Sequence, residues 1–243
     1  MPRFFLPPTE LTGDFAVLTG ENAAHAKVLR LKTGDEVSLC DGEGRAFRAA
    51  VRDAGAGQYR LALLGPAASS EAKLRVTVYM AFAKSDKLEH VVQKATELGA
   101  FEIAAFPSSR CVSRPDGASA GRKAERWQKI ASAAAEQSGR DRIPRVTVLP
   151  SFAEAVRRAA LADFSCFLYE NEQHLSLRGA IGAGGFSTAS LMTGPEGGFD
   201  AAEVREAQDA GMRVCSLGPR ILRCETAPLC ALAALLYACG ELE

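Results

Sequence analysis

The chain has 243 residues, room for one large domain or for a small one followed by a medium one, and with 47% of them hydrophobic it can bury a full core. Lysine plus arginine and aspartate plus glutamate balance at 29 each, which excludes a polyanionic partner attracted by net charge alone. Distribution says more: residues 71–145 carry 14 basic against 9 acidic side chains and residues 146–243 carry 7 against 12, a basic middle that suits either a local anion-binding face or, on charge alone the commoner case, solvated helix surfaces.

Taken in order, the first 70 residues read as all-β. Short apolar runs at Phe15 to Leu18, Glu36 to Cys40, Ala46 to Val51 and Tyr59 to Leu64 are broken by Thr33-Gly34-Asp35, Asp41-Gly42-Glu43-Gly44 and Ala54-Gly55-Ala56-Gly57. Strands at this spacing predict a small barrel. Asn22 to Leu31 is one predicted helix, with His25, Val28, Leu29 and Lys32 on a shared face. Pro66 to Glu71 reads as a linker.

From residue 73 the rhythm becomes strand–helix alternation. Strands are predicted at Arg75 to Ala83, Phe101 to Phe106, Arg145 to Leu149, Phe164 to Tyr169, Ala189 to Thr193 and Val214 to Leu217. Helices are predicted at Lys87 to Leu98, Gly121 to Ser138, near 151–161 and 200–210, and from Ala227 to Cys239. Such alternation implies a mostly parallel sheet with helices on both faces. The seven cysteines form no CxxC pair and the three histidines are scattered, so no metal site is expected. The opening MPRFFLPPTE lacks a signal-peptide core, and Ala227 to Cys239 is too short to span a bilayer, so a cytoplasmic protein with no membrane partner is expected.

Two strand-to-helix junctions carry the chemistry. In Leu191-Met192-Thr193-Gly194-Pro195-Glu196-Gly197-Gly198-Phe199-Asp200, three glycines follow a strand and Asp200 can cap the next helix. In a parallel sheet ligands bind beyond the carboxyl ends of the strands, and glycine lets them approach the backbone. There is no GxxxxGK[ST] or GxGxxG, and Glu196 adds negative charge, so a neutral or cationic ligand suits the loop better than a phosphate. The second junction, Ser216-Leu217-Gly218-Pro219-Arg220-Ile221-Leu222-Arg223-Cys224-Glu225-Thr226-Ala227-Pro228, crowds two arginines and a glutamate beside it. Arginines at such a place bind phosphate or polarise a carbonyl, or form surface ion pairs.

GPEGGF followed by LGPRILRCETA resembles the RsmE family of 16S rRNA uracil-N3 methyltransferases, within the SPOUT superfamily of knotted methyltransferases. Pro2-Arg3-Phe4-Phe5, the run His25 to Asp35 (HAKVLRLKTGD), Lys84 to Gly99 and Ala134 to Arg140 extend the likeness over nearly the whole chain. The resemblance implies a PUA-like RNA-binding β-barrel at residues 1–70 and a SPOUT α/β domain at 73–243 whose C-terminal third forms a trefoil knot. It implies S-adenosyl-L-methionine as cofactor, held by Leu168, Tyr169, Glu170, Met192, Thr193, Gly194, Pro195, Glu196, Gly197, Leu217, Gly218, Ile221, Leu222 and Ala227. It implies a homodimer acting on 16S rRNA or the 30S subunit. Methylating uracil N3 needs loss of a weakly acidic proton and stabilisation of charge on the flanking oxygens, which makes Arg223 or Arg220 the candidate to face them. Glu225 and Glu136 are the nearest carboxylates to serve as base. Arg3, Lys27, Arg30, Arg110, Arg114 and Arg140 are the candidate RNA contacts, within a basic stretch that also holds Arg122, Lys123, Arg126, Arg142 and Arg145. The alternatives are a SPOUT enzyme acting on tRNA or 23S rRNA, and a non-catalytic ribosome-assembly factor.

Overall fold

A computed structural model describes residues 1–55, 57–84, 86–112 and 117–242, so the predicted RNA contact Arg114 lies outside the described residues. The chain divides into two compact units: Met1–Glu71 with Ala135–Ile143, and Ala72–Ala134 with Pro144–Glu243.

The first unit is a curled five-stranded sheet. Its strands are β1 (Arg3–Phe5), β2 (Phe15–Leu18), β3 (Glu36–Cys40), β4 (Ala46–Gly55) and β5 (Gln58–Pro66), in the order β1-β3-β4-β5-β2. Alternation turns Phe4, Leu18, Val37, Leu39, Val51 and Leu61 inward as one core. Register shifts in the β4–β5 pair after Arg48 and after Val51 bend that long hairpin and curl the sheet. The helix α1 (Gly20–Val28) stops three residues short of the predicted end. Arg30 takes the left-handed conformation (φ 55°) as Leu31 N–H turns back to Ala26 O at 3.1 Å, and Val28 and Leu29 are exposed.

The segment Ala135–Ile143 completes this unit by carboxylate contacts. Asp141, fully buried, accepts from the Arg3 guanidinium, from Ser70 N–H at 2.9 Å and from the Cys40 thiol at 3.6 Å. Glu71 accepts from Arg140 Nη2 at 2.5 Å and from the backbone N–H of Asp141 and Arg142 at 2.9 and 3.0 Å. Arg140 is therefore buried and paired, a correction to its expected place on an RNA-facing surface. Nothing in local sequence marked a boundary at Ala135, because α3 (Gly117–Ser138) runs through it.

The second unit is a six-stranded, fully parallel sheet in the order β11-β9-β10-β6-β7-β8, comprising β6 (Arg75–Ala81), β7 (Glu102–Phe106), β8 (Arg145–Val148), β9 (Phe164–Leu168), β10 (Thr188–Thr193) and β11 (Arg213–Cys215). Nearly continuous apolar runs make these strands, as a sheet covered on both faces requires. The helices α2 (Lys87–Glu97), α5 (Leu177–Ile181) and α7 (Ala227–Ala238) cover one face with Trp127 and Ala131 of α3. The helices α4 (Phe152–Ala159) and α6 (Ala201–Asp209) cover the other. Chain order runs outward from β6 through β7 to β8, then restarts on the opposite side at β9. That restart makes a switch point, where the loops after β9, β10 and β11 converge.

One corner of this sheet gives a pH-dependent prediction. The Asp163 carboxylate, just before β9, accepts Ser187 Oγ at 2.9 Å and the N–H groups of Ser187 and Thr188, both at 3.0 Å. These bonds, the Ser187 hydroxyl foremost, pull its pKa down to about 2. A depressed folded-state pKa gives stability that is fully present above the ordinary aspartate value and lost as pH falls towards 2. Asp163→Asn is therefore expected to melt below the parent at pH 7, with the gap in Tm closing as pH drops through that window; a gap constant from pH 7 to pH 2 refutes it.

Candidate functional site

Beyond the carboxyl ends of β9, β10 and β11 the chain leaves a cavity of about 450 Å³. Its wall comes from three loops: Leu168, Tyr169 and Glu170 after β9; Thr193 to Gly198 after β10; Ser216 to Gly218, Arg220 to Cys224 and Ala227 after β11. Lys87, the first residue of α2, supplies the fourth side.

Local chemistry explains each loop. After β10, Asp200 caps α6 by accepting from Ala202 and Glu203 N–H at 2.8 and 2.9 Å, and Glu203 returns a bond to Asp200 N–H at 3.0 Å. Phe199, 1% exposed, pins the loop into an aromatic cluster with Phe167, Phe152 and Phe106 at centroid distances of 4.2, 5.9 and 6.5 Å. Gly198 sits at φ +66°, and a Cβ there would collide with the Glu170 carboxylate. After β11, Gly218 turns the chain at φ +96°, and a Cβ on it would meet no protein atom within 4 Å, so this glycine borders open cavity. Thr226 and Ala227 N–H close back onto Arg223 O at 2.8 and 3.0 Å, and Pro228 sits in the first turn of α7.

Carboxylates mark the site's electrostatics. Lys87 Nζ stands 3.2 Å from Glu196 Oε1, 3.5 Å from Glu225 Oε2 and 3.8 Å from Cys224 Sγ. Glu196 also accepts Lys84 N–H at 2.9 Å. Burial works to raise the Glu196 pKa, but those backbone bonds and Lys87 outweigh it and hold the carboxyl below its usual range. Glu225 is held low by its backbone hydrogen bond, with Cys224 and Lys87 adding to it. The ammonium of Lys87 is raised, mainly by Glu196. Burial, then the Glu225 carboxylate, push the Cys224 thiol up to about 11. A thiol so far from ionisation is a poor nucleophile at neutral pH.

All of the predicted cofactor residues line the cavity save Met192, whose side chain is fully buried in the core because strand alternation turns it away from the loop. Gly197 lines it too, but its Cβ direction leads to Arg110 Cβ at 3.2 Å, so a substitution there presses on Arg110 first. Arg223 and Arg220 lie in the wall, exposed, with no side-chain partner among the described residues. Glu225 stands behind Cys224, engaged with Lys87, and Glu136 lies in the first unit, paired with His25 at 2.8 Å. Of the expected RNA contacts, Lys27 and Arg30 are exposed, Arg110 is exposed and donates to Gly197 O at 3.0 Å, and Arg3 is tied to Asp141. Sequence reasoning missed Lys87, Gly198, Ser216 and Cys224; the last three fall inside the two quoted junctions, whereas Lys87 lies in the Lys84 to Gly99 stretch that carried the resemblance but pointed to no single residue. No group of three or more His, Cys, Asp or Glu side chains suited to a metal ion occurs among the described residues.

The sequence pattern of the RNA methyltransferase domain matches residues 70–236, and that of the RNA methyltransferase PUA domain matches residues 18–64. Ribosomal RNA small subunit methyltransferase E of Bacillus subtilis (strain 168) is 35% identical, over 98% of this chain and 96% of its own length. Its counterpart in Mycobacterium tuberculosis (strain CDC 1551 / Oshkosh) is 34% identical, over 96% and 90%. Among solved structures, the ribosomal RNA small subunit methyltransferase E from Neisseria gonorrhoeae bound to S-adenosyl methionine superposes with a TM-score of 0.85 at 31% identity, covering 98% of this chain and 97% of that one. A Legionella pneumophila methyltransferase with bound cofactor superposes with a TM-score of 0.82 at 28% identity, covering 97% of each.

Proposed function

The chain belongs to the ribosomal RNA small subunit methyltransferase E family, and from that premise we propose that it transfers the methyl group of S-adenosyl-L-methionine to uracil N3 of a uridine in 16S rRNA. The observation that carries this reading is the cavity itself, with its glycine at the open edge and carboxylates at its border. Those features fit the donor: backbone and glycine accept a flat adenosine closely, and Glu170 and Glu196 in the wall, with Glu225 joined to them through Lys87, suit a cation. The donor supplies a methyl group already activated on a sulfonium.

What remains for the protein is to position the base, to remove the N3 proton and to offset the negative charge left on N3 and its flanking oxygens. Arg223 is assigned to that charge, with Arg220 its neighbour in the same loop; both guanidiniums are exposed and unpaired among the described residues. Glu225 is assigned to tying the loop, since its low pKa and its Lys87 contact disfavour it as base. Labelled donor incubated with separated RNAs is expected to mark 16S rRNA at a single uracil N3. Label confined to tRNA or to 23S rRNA overturns the substrate assignment, and none on any RNA or on assembled 30S subunits overturns the enzyme reading. Gly218 lines the cavity and a Cβ on it meets only open space, so Gly218→Val is expected to weaken donor binding at least about tenfold in calorimetry, beyond its strain of about 1–2 kcal/mol on the fold.

The same reading assigns residues 1–70 to a PUA-like barrel that holds RNA through exposed Lys27 and Arg30, and residues 73–243 to the methyltransferase domain, with Arg110 a further phosphate contact. Affinity for RNA then falls steeply with salt as counterions are released. It assigns a trefoil knot to the last third, supported by β11 lying beyond β9, so that the chain leaving β10 must pass back across β9. It also assigns a homodimer. Leu232, Leu235 and Leu236 of α7 turn into the core, but Tyr237 stays 72% exposed beside exposed Ala234 and Ala238, a face suited to a twofold contact. Light scattering is expected to give twice the chain mass at micromolar concentration; a monomer refutes the assignment.

A further inference from the structure

Two carboxylates share one ammonium at the cavity's border. Glu196 comes from the loop after β10 and Glu225 from the loop after β11, and Lys87 lies 3.2 and 3.5 Å from them. All three side chains are only about a quarter exposed, at 26%, 28% and 27%. The triad thus carries one net negative charge, and without Lys87 it would carry two. The donor and the product of methyl transfer differ in charge at one atom: a cationic sulfonium becomes a neutral thioether, while adenosine and the amino-acid moiety are unchanged. Contacts to those unchanged parts bind both forms alike. The charge at the cavity wall is what tells them apart.

We propose that Lys87 is a specificity-determining residue that sets how strongly the cavity prefers the sulfonium donor over the thioether product, by cancelling one of the two carboxylate charges beside it. The inference rests on the reading of the cavity as the donor site. Extra negative charge would hold the donor more tightly in the ground state without helping the transfer, so a partly neutralised wall suits turnover. A purely structural tie between the loops would instead affect both ligands equally.

The test is calorimetry of S-adenosylmethionine and S-adenosylhomocysteine with the full chain as parent, Lys87→Met, Lys87→Arg and Glu196→Gln. Removing one charge from a partly screened wall is expected to raise the donor-to-product affinity ratio about tenfold in Lys87→Met. Lys87→Arg keeps the charge and is expected to keep the parental ratio. Glu196→Gln removes the opposite charge, is expected to lower the ratio, and answers the question should Lys87→Met fail to fold. A ratio unchanged in Lys87→Met, or in Glu196→Gln where that variant stands in, overturns the inference while leaving the donor site intact. A parent that binds neither compound overturns the donor-site reading and the inference with it.

Discussion

Arg223→Ala is expected to lower kcat by roughly a hundredfold or more while donor affinity and Tm stay near parental values. The loss follows from removing one donor aimed at charge that develops only in the transition state. The structure sharpens the second half of the expectation. Arg223 makes no side-chain hydrogen bond or ion pair among the described residues, and only its carbonyl is used, by Thr226 and Ala227 N–H. Truncating an exposed, unpaired side chain changes stability by about 0.5 kcal/mol or less. Arg223→Lys is expected to restore little, because a point charge does not reproduce a planar fork of donors. Single-turnover kinetics on small-subunit RNA decide the matter. Parental turnover in Arg223→Ala moves the assignment to Arg220, the other unpaired guanidinium of that loop.

The largest expected effect on stability belongs to Phe199→Ala. Its ring is buried against Phe167 at 4.2 Å, with Phe152 and Phe106 behind it, and it ends the same loop whose Gly194 to Gly198 line the cavity. Phenylalanine-to-alanine changes at such sites cost about 3–5 kcal/mol, against a total of about 5–15 kcal/mol for a whole domain. Chemical denaturation is expected to show that loss, and donor affinity is expected to fall with it because the cavity loop loses its anchor. Phe199→Leu, which keeps much of the volume, is expected to cost markedly less. Equal midpoints for Phe199→Ala and the parent refute the anchoring role.

How far these sites were readable beforehand follows from the range of the forces that build them. Period-2 and period-3.6 patterns placed every strand of the second unit and α2, α4, α6 and α7 to within a few residues, because burial of a strand or a helix face is written in adjacent positions. The two Gly-Pro junctions were legible for the same reason: glycine at a turn and a capping residue after it are local requirements. The three-residue β1 and the five-residue α5 are too short to show a period. Alternation along β10 sends the Met192 side chain into the core, which leaves only its backbone to face the loop that the resemblance assigns to the cofactor. Lys87 and Arg140 depend on carboxylates 109 and 69 positions away, Glu196 and Glu71, and no pattern in KSDKLEH or SGRDR announces such partners.

The first unit is closed by residues that come late in the chain. Asp141 supplies the buried acceptor for Arg3, Ser70 and Cys40, and Ile143 N–H bonds Gly42 O at 3.0 Å. On a translating ribosome, the strands of the curled sheet are therefore all made while a piece of their own unit is still untranslated. At about 5–20 residues per second, the roughly seventy residues separating Glu71 from Ile143 delay completion by several seconds. During that interval Arg3 and the Glu71 carboxylate stand without the partners that later bury them, and the nascent sheet is held by its own strand ladders and apolar core. A stalled chain released at residue 100 is thus expected to expose its first seventy residues to protease, and one released beyond residue 143 to protect them.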